Sequence, residues 1–498
     1  MAKTTTARIF AVIFAAIVIA YFPALHGYFL HTDDFFFSCW GGFPSPAIFR
    51  FMAYVGRPLA GLIYGTHGLV CSMAGMNVLR GISVCILALL SLLVYRYLRG
   101  GVVSGLVALA AAIALVTTPP FATGVGYVAT AAYVLAVPVA ALAFAAASRG
   151  GIKFAVLAIL LLIVSLALYQ PGALFYIALA AVATFLCDPL TFWPEQIRKL
   201  AGHAAILAAA CAVYYSVWRV WLRVRGAPLG AKYDGRQFGN IYEHLKWFVR
   251  TPLVEAANLW FVRPKLAYAI LTGAVILAAM CLELRPGGGR RVVGVLGKLA
   301  AVAVMLPMTY GINLVSYMPS AEYRTYTALE GAILLLFMLA LSRILPRRLA
   351  ATAALAVAVC GICAANVTIR RYFTDPDSRE FRFVKDRIEH YRQTQGDDFT
   401  MIVVVVRANP VAVVQRNEMG EPSLRHGPNL RPMVTAALRE LGIARDVPVI
   451  QTLPGNPASP TWVEWATELH WMTLDYSYGP PRPGKVITID ASQIGSLR

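Results

Sequence analysis

Along this chain the apolar residues gather in long blocks separated by short polar stretches. A helix needs about 20 mostly apolar residues to cross a bilayer. The first block, Ile9 to Leu25, meets this behind a basic start with Lys3 and Arg8, and no small-residue cleavage site follows it. It reads as a retained anchor with a cytoplasmic N-terminus. Further blocks run over 76–98, 102–118, 128–147, 152–168, 172–187, 201–224, 266–283, 292–314, 326–341 and 349–365, predicting eleven spans.

The basic residues set the threading. Lys3/Arg8, Arg96/Arg99, Arg149/Lys153, Arg198/Lys199, Arg285/Arg290/Arg291 and Arg343/Arg347/Arg348 all fall on one side, as cytoplasmic loops require. Residues 58–75 are apolar enough to span, but counting them would move Arg96 and Arg99 outside and invert every later loop. They are therefore assigned, with 46–55, to helices at or dipping into the outer interface.

Beyond Ala365 the pattern changes. A charged amphipathic helix (378–395), a β-branched run (400–406), a helix (432–441) and two further strands (447–452, 485–490) predict a small α/β domain. Parity of the spans puts it outside. The expected architecture is a polytopic α-helical membrane domain over 1–365, with outer loops 26–75 and 225–265, and a C-terminal α/β periplasmic domain over 366–498.

Composition agrees with this pattern. Hydrophobic residues make up 58% and charged residues 14%, against roughly 45–50% and about 25% in soluble proteins. The net charge of +19 belongs to the membrane part: residues 1–365 hold 28 basic and 10 acidic side chains, the remainder 16 and 15. Positive-inside loops account for that excess, so nucleic acid is not an expected partner. The eight cysteines are scattered, and Cys360 and Cys363, spaced like a redox pair, lie inside an apolar block as small packing residues. The sequence contains no P-loop, GxSxG, HExxH or dinucleotide glycine fingerprint.

Two of the ten membrane-domain carboxylates are adjacent. Asp33 and Asp34 follow the first span in HTDDFFFSCW, where Phe35, Phe36, Phe37 and Trp40 seat them at the interface. Like charges there need a cation, metal or proton; an acidic pair in a solvated loop is the plainer alternative. Facing them are unusual outer-side cations: Arg57 in VGRPLAG, Arg80, Arg324 in PSAEYRTY, and the 225–265 loop with Lys232, Arg236, Lys246, Arg250 and Arg263. Attraction to anionic lipid explains them at least cost, whereas a phosphate pocket uses the same chemistry, since guanidinium groups bind phosphate oxygens bidentately. His31, His67, Tyr127, Gln170, Glu322 and Tyr323 complete an outer polar set at span ends.

In order and sidedness these motifs resemble the GT-C superfamily of membrane glycosyltransferases, most closely the bacterial O-antigen glucosyltransferases of the serotype-converting Gtr type. The resemblance covers most of residues 1–375. It rests on a first span followed by Asp33 and Asp34, the element Gly56-Arg57-Pro58, the element Tyr169-Gln170-Pro171, and Arg324. It implies transfer of a sugar from a polyprenyl-phosphate donor to a cell-envelope glycan or lipid-linked acceptor at the periplasmic face of a bacterial inner membrane. A loop aspartate (Asp33 or Asp34) would be the base, with Arg57, Arg324, Lys232, Arg236 and Arg263 on the donor phosphate. His31, Tyr127, Gln170, Glu322 and Tyr323 would line the substrate pocket. A competing role for the acidic pair is to hold a divalent cation. Two other functions use the same outer arginines: a transporter or flippase of a lipid-linked anionic saccharide, and a non-catalytic assembly subunit.

Overall fold

The computed structural model describes residues 2–27, 29, 45–65, 73–100, 103–225, 240–262, 264–284, 289–316, 321–396, 399–405, 434, 437–438, 441–443, 449–452 and 485–490. Where described, the predicted apolar blocks are mostly helical. Seven helices among the described residues are long and apolar enough to cross a membrane: α1 (Ala2–His26), α4 (Met73–Arg99), α11 (Ile197–Val224), α14 (Leu266–Cys281, extended by a 3-10 turn to Leu284), α15 (Gly289–Met308), α17 (Thr327–Ile344) and α18 (Arg347–Ile369). This is a polytopic helical membrane protein.

The other apolar blocks are shorter or broken. α5 (Gly105–Leu115) and α6 (Pro119–Gly126) meet at a 53° bend, so the block predicted as one span over 102–118 stops at Leu115. Pro119 and Pro120 cannot donate to an α5 ladder, and proline disfavours helix at the residue before it. α7 (Ala131–Ala147), α8 (Ile152–Leu168) and the pair α9 (Gln170–Ala173) and α10 (Phe175–Leu186) complete the bundle. Two short helices, α2 (Ser45–Tyr54) and α3 (Pro58–Gly65), occupy the segment set aside as interfacial. At 1.5 Å per residue α3 is about 12 Å long, well short of the roughly 30 Å apolar core of a bilayer. α12 (Ile241–Arg250), α13 (Pro252–Ala257) and α16 (Gly311–Val315) are likewise short.

Burial orders the bundle. α17 is enclosed along most of its length, and α5, α10 and α14 pack against it. Small residues let backbones approach where lipid supplies no hydrophobic drive, and hydroxyls then bond across helices: Ser91 Oγ donates to the Ala112 carbonyl at 2.8 Å and Ser165 Oγ to that of Ala136 at 2.7 Å. α11 and α14 turn apolar side chains such as Val217, Val220, Ile270 and Leu271 outward, which suits contact with lipid tails.

α18 runs through residue 365 without a break. A π-helical turn over Arg370–Thr374 leads into α19 (Asp375–Gln395), so the composition change at 365 falls inside a helix. Three strands follow: β1 (Phe399–Val405), β2 (Val449–Thr452) and β3 (Lys485–Asp490). They form a parallel sheet in the order β2-β1-β3, with Ile402 in register with Val449 and Ile487. The continuous run MIVVV in β1 is what a central parallel strand requires.

Candidate functional site

The described parts of the loops expected on the outer side meet at one end of α17. The tight turn at Gly56 is clamped by three side chains: Gln170 Nε2 donates to the Gly56 carbonyl at 2.8 Å, the Tyr214 hydroxyl donates to the same oxygen, and Trp218 Nε1 donates to the Ala53 carbonyl at 3.0 Å. Gly56 has φ of +78°, and a Cβ there would lie 2.7 Å from Tyr214 Oη and 2.8 Å from Gln170 Nε2. Both facts demand glycine. Gly56→Ala is expected to cost about 1–2 kcal/mol from the left-handed backbone alone and to displace Arg57; thermal unfolding and anion titration of the purified protein measure the two effects.

The turn presents Arg57, whose Nη1 donates to Tyr133 Oη at 2.7 Å and whose Nε donates to Gln170 Oε1 at 3.2 Å. Its guanidinium carbon lies 5.0 and 4.9 Å from the rings of Tyr133 and Tyr169, which stack with centroids 4.0 Å apart. This is cation–π seating for a partly exposed cation. Arg324 approaches from the other side. It pairs with Glu322 at 2.5 Å, lies 5.8 Å from the Tyr127 ring centroid, and its carbonyl accepts from Tyr169 Oη at 3.1 Å.

Behind Arg324 is a tyrosine cluster. Tyr310 Oη bonds Thr325 Oγ1 at 3.1 Å, Tyr323 Oη donates to the Val262 carbonyl at 3.2 Å, and Tyr326 Oη donates to Glu255 Oε2 at 2.5 Å. Burial raises the phenols of Tyr169, Tyr310, Tyr323 and Tyr326 above their ordinary range, so they stay neutral. Burial also raises the Glu255 carboxyl, and the Tyr326 hydrogen bond pulls it partly back.

The opposite end of α17 carries a different cluster. Lys298, fully buried, donates to Glu283 Oε2 at 2.6 Å and to the Cys187 carbonyl at 2.8 Å, while Arg343 also pairs with Glu283 and donates to the Phe185 carbonyl at 2.8 Å. These bonds tie the middle of α15 to the ends of α10, α14 and α17. A cavity of about 310 Å³ lined by Thr6, Tyr95, Arg96 and Arg99 lies among the loops predicted to be cytoplasmic, away from Arg57. α17 spans about 27 Å, with Arg324 before its first residue and Arg343 in its last turn.

Of the residues singled out from sequence, Arg57, Tyr127, Gln170, Glu322, Tyr323 and Arg324 come together. Tyr323 is buried and commits its hydroxyl to the backbone. Arg80 is buried too, donating to the Phe29 carbonyl at 2.7 Å and to Asn77 Oδ1 at 2.8 Å; it anchors chain. His31, Asp33, Asp34, His67, Lys232, Arg236 and Arg263 lie outside the described residues. Among the described residues no three His, Cys, Asp or Glu side chains gather as a metal site. Sequence reasoning missed Tyr133, Tyr214, Trp218, Tyr310 and Tyr326; the signal available was aromatic enrichment at span ends, which interfacial anchoring also produces.

No protein-family model matches the chain, and no curated protein matches it.

Proposed function

We propose that this protein is a membrane glycosyltransferase moving a sugar from a polyprenyl-phosphate donor to a cell-envelope glycan or lipid-linked acceptor, with its site at the periplasmic face and its C-terminal α/β portion on that side. The observation that carries the reading is the meeting of Arg57 and Arg324, from loops far apart in the chain, in one tyrosine-lined site at one end of the bundle. Two guanidinium groups with Glu322 as the paired acid suit an anion.

In the reaction Asp33 or Asp34 takes the acceptor's hydroxyl proton as the oxygen attacks the sugar's anomeric carbon. The bond from that carbon to the donor phosphate breaks, and the arginines stabilise the departing phosphate charge. The acidic pair holding a divalent cation is the competing assignment. Donor-dependent glycosylation by purified protein, with the Asp33/Asp34 double variant as control, tests the activity; full activity in that variant removes the site.

A transporter of a lipid-linked anion draws support from one observation, the buried Glu330 within α17. Flux of the intact lipid-linked saccharide across proteoliposomes, without sugar transfer, would favour it.

The threading is testable separately. Reporters fused after Arg99, Gly150 and Arg348 are expected in the cytoplasm, and those after Gly235 and Ser378 in the periplasm. A periplasmic signal after Arg99 overturns the sidedness.

A further inference from the structure

Glu330 is fully buried in the first turn of α17, one turn beyond Tyr326. Neither of its carboxyl oxygens has a hydrogen-bond partner among the described residues. Glu255 of α13 acts on it, and it acts in turn on Tyr21 of α1 and on Tyr323. The neighbouring hydroxyl protons are committed elsewhere: Tyr21 Oη donates to the Val116 carbonyl at 2.6 Å, Tyr323 Oη to Val262, and Tyr326 Oη to Glu255. A bare carboxylate so placed, beside a second acid, has nothing to offset its loss of water. The proton that makes it neutral must be its own.

We propose that Glu330, with Glu255 and Tyr326 beside it, is a proton-binding site set behind the arginine pocket, occupied by a proton when that pocket holds an anion. With Glu330 neutral, the acids at and behind the pocket are Glu322, paired with Arg324, and Glu255, bonded to Tyr326 two residues further on; loss of the proton adds a third negative charge and opposes an incoming phosphate. Proton and phosphate binding are therefore linked, and by reciprocity a bound phosphate holds the proton to higher pH. The link to phosphate rests on the proposed function, whereas the proton on Glu330 does not.

Infrared spectroscopy of the purified full-length protein tests both parts. A protonated-carboxyl band is expected at neutral pH that shifts with isotope-labelled glutamate, disappears in Glu330→Gln and moves in Glu330→Asp. In Glu255→Gln less of it should remain at a given alkaline pH, because the neighbouring charge is gone. Absence of the band from labelled wild-type protein overturns the proposal without any variant, and so does a band that persists unchanged in Glu330→Gln. Added farnesyl phosphate should retain more of the band at alkaline pH. A Glu330 band indifferent to farnesyl phosphate overturns the linkage and counts against the phosphate pocket, while the proton site stands.

Discussion

Asp33→Asn or Asp34→Asn is expected to lower sugar transfer by about 10²–10⁴-fold at whichever carboxylate is the base, the range general-base removal produces, with donor binding retained. Adjacent carboxylates at a low-dielectric interface do not readily carry two charges, so one should hold its proton while the other ionises. The route into their loop is anchored. Phe29 is buried, its carbonyl accepts from Arg80 Nη2 at 2.7 Å, and the Arg80 guanidinium lies 3.8 Å from its ring centroid. Asp33 follows four residues later in the chain. Turnover and donor affinity measured with and without chelator separate the assignments. Collapse at one position, with affinity kept and no chelator effect, identifies a base; chelator sensitivity and weakened donor binding at both positions identify a metal. Full activity in both single variants and the double variant removes the pair from the chemistry.

Arg57→Ala and Arg324→Ala should each weaken donor binding by about 10–150-fold, the equivalent of roughly 1.5–3 kcal/mol for a lost charged hydrogen bond. Arg347→Ala, at the exposed start of α18, should leave it unchanged. The two losses differ in kind. Arg57 is held by Tyr133, Gln170 and two aromatic faces, and its removal leaves no acid unpaired. Arg324 is paired with Glu322, so its removal also takes a cation away from a largely buried carboxylate, whose charge then repels the donor further. Adding Glu322→Gln to Arg324→Ala should therefore recover part of the lost affinity, whereas adding it to Arg57→Ala should not. Titration of purified protein with donor measures all of these; equal, small effects at Arg57, Arg324 and Arg347 would discard the phosphate pocket.

The chain's local pattern was enough for the helical membrane class, because hydropathy over some twenty residues is a local property and the bilayer imposes the same length on every span. The β-branched run in β1 and the positions of β2 and β3 were legible for a similar reason. The grouping of Arg57, Gln170 and Arg324 at one end was legible through charge, since positive-inside loops fix which span ends share a face. Tertiary structure decided what sequence spacing could not: that Tyr133 and Tyr169 stack to seat Arg57, that Tyr214 and Gln170 demand glycine at 56, and that the block over 102–118 ends at Leu115 and bends into α6 at Pro119 and Pro120. It also decided the fate of individual charges. Arg80 and Arg324 read alike as outer cations, yet one is spent on a backbone carbonyl and the other faces the site. Glu330 carries no signal in the sequence that sets it apart, and only the packing around α17 buries it. Burial and partnership depend on which helices lie side by side, and that choice is made by contacts between residues remote in the chain.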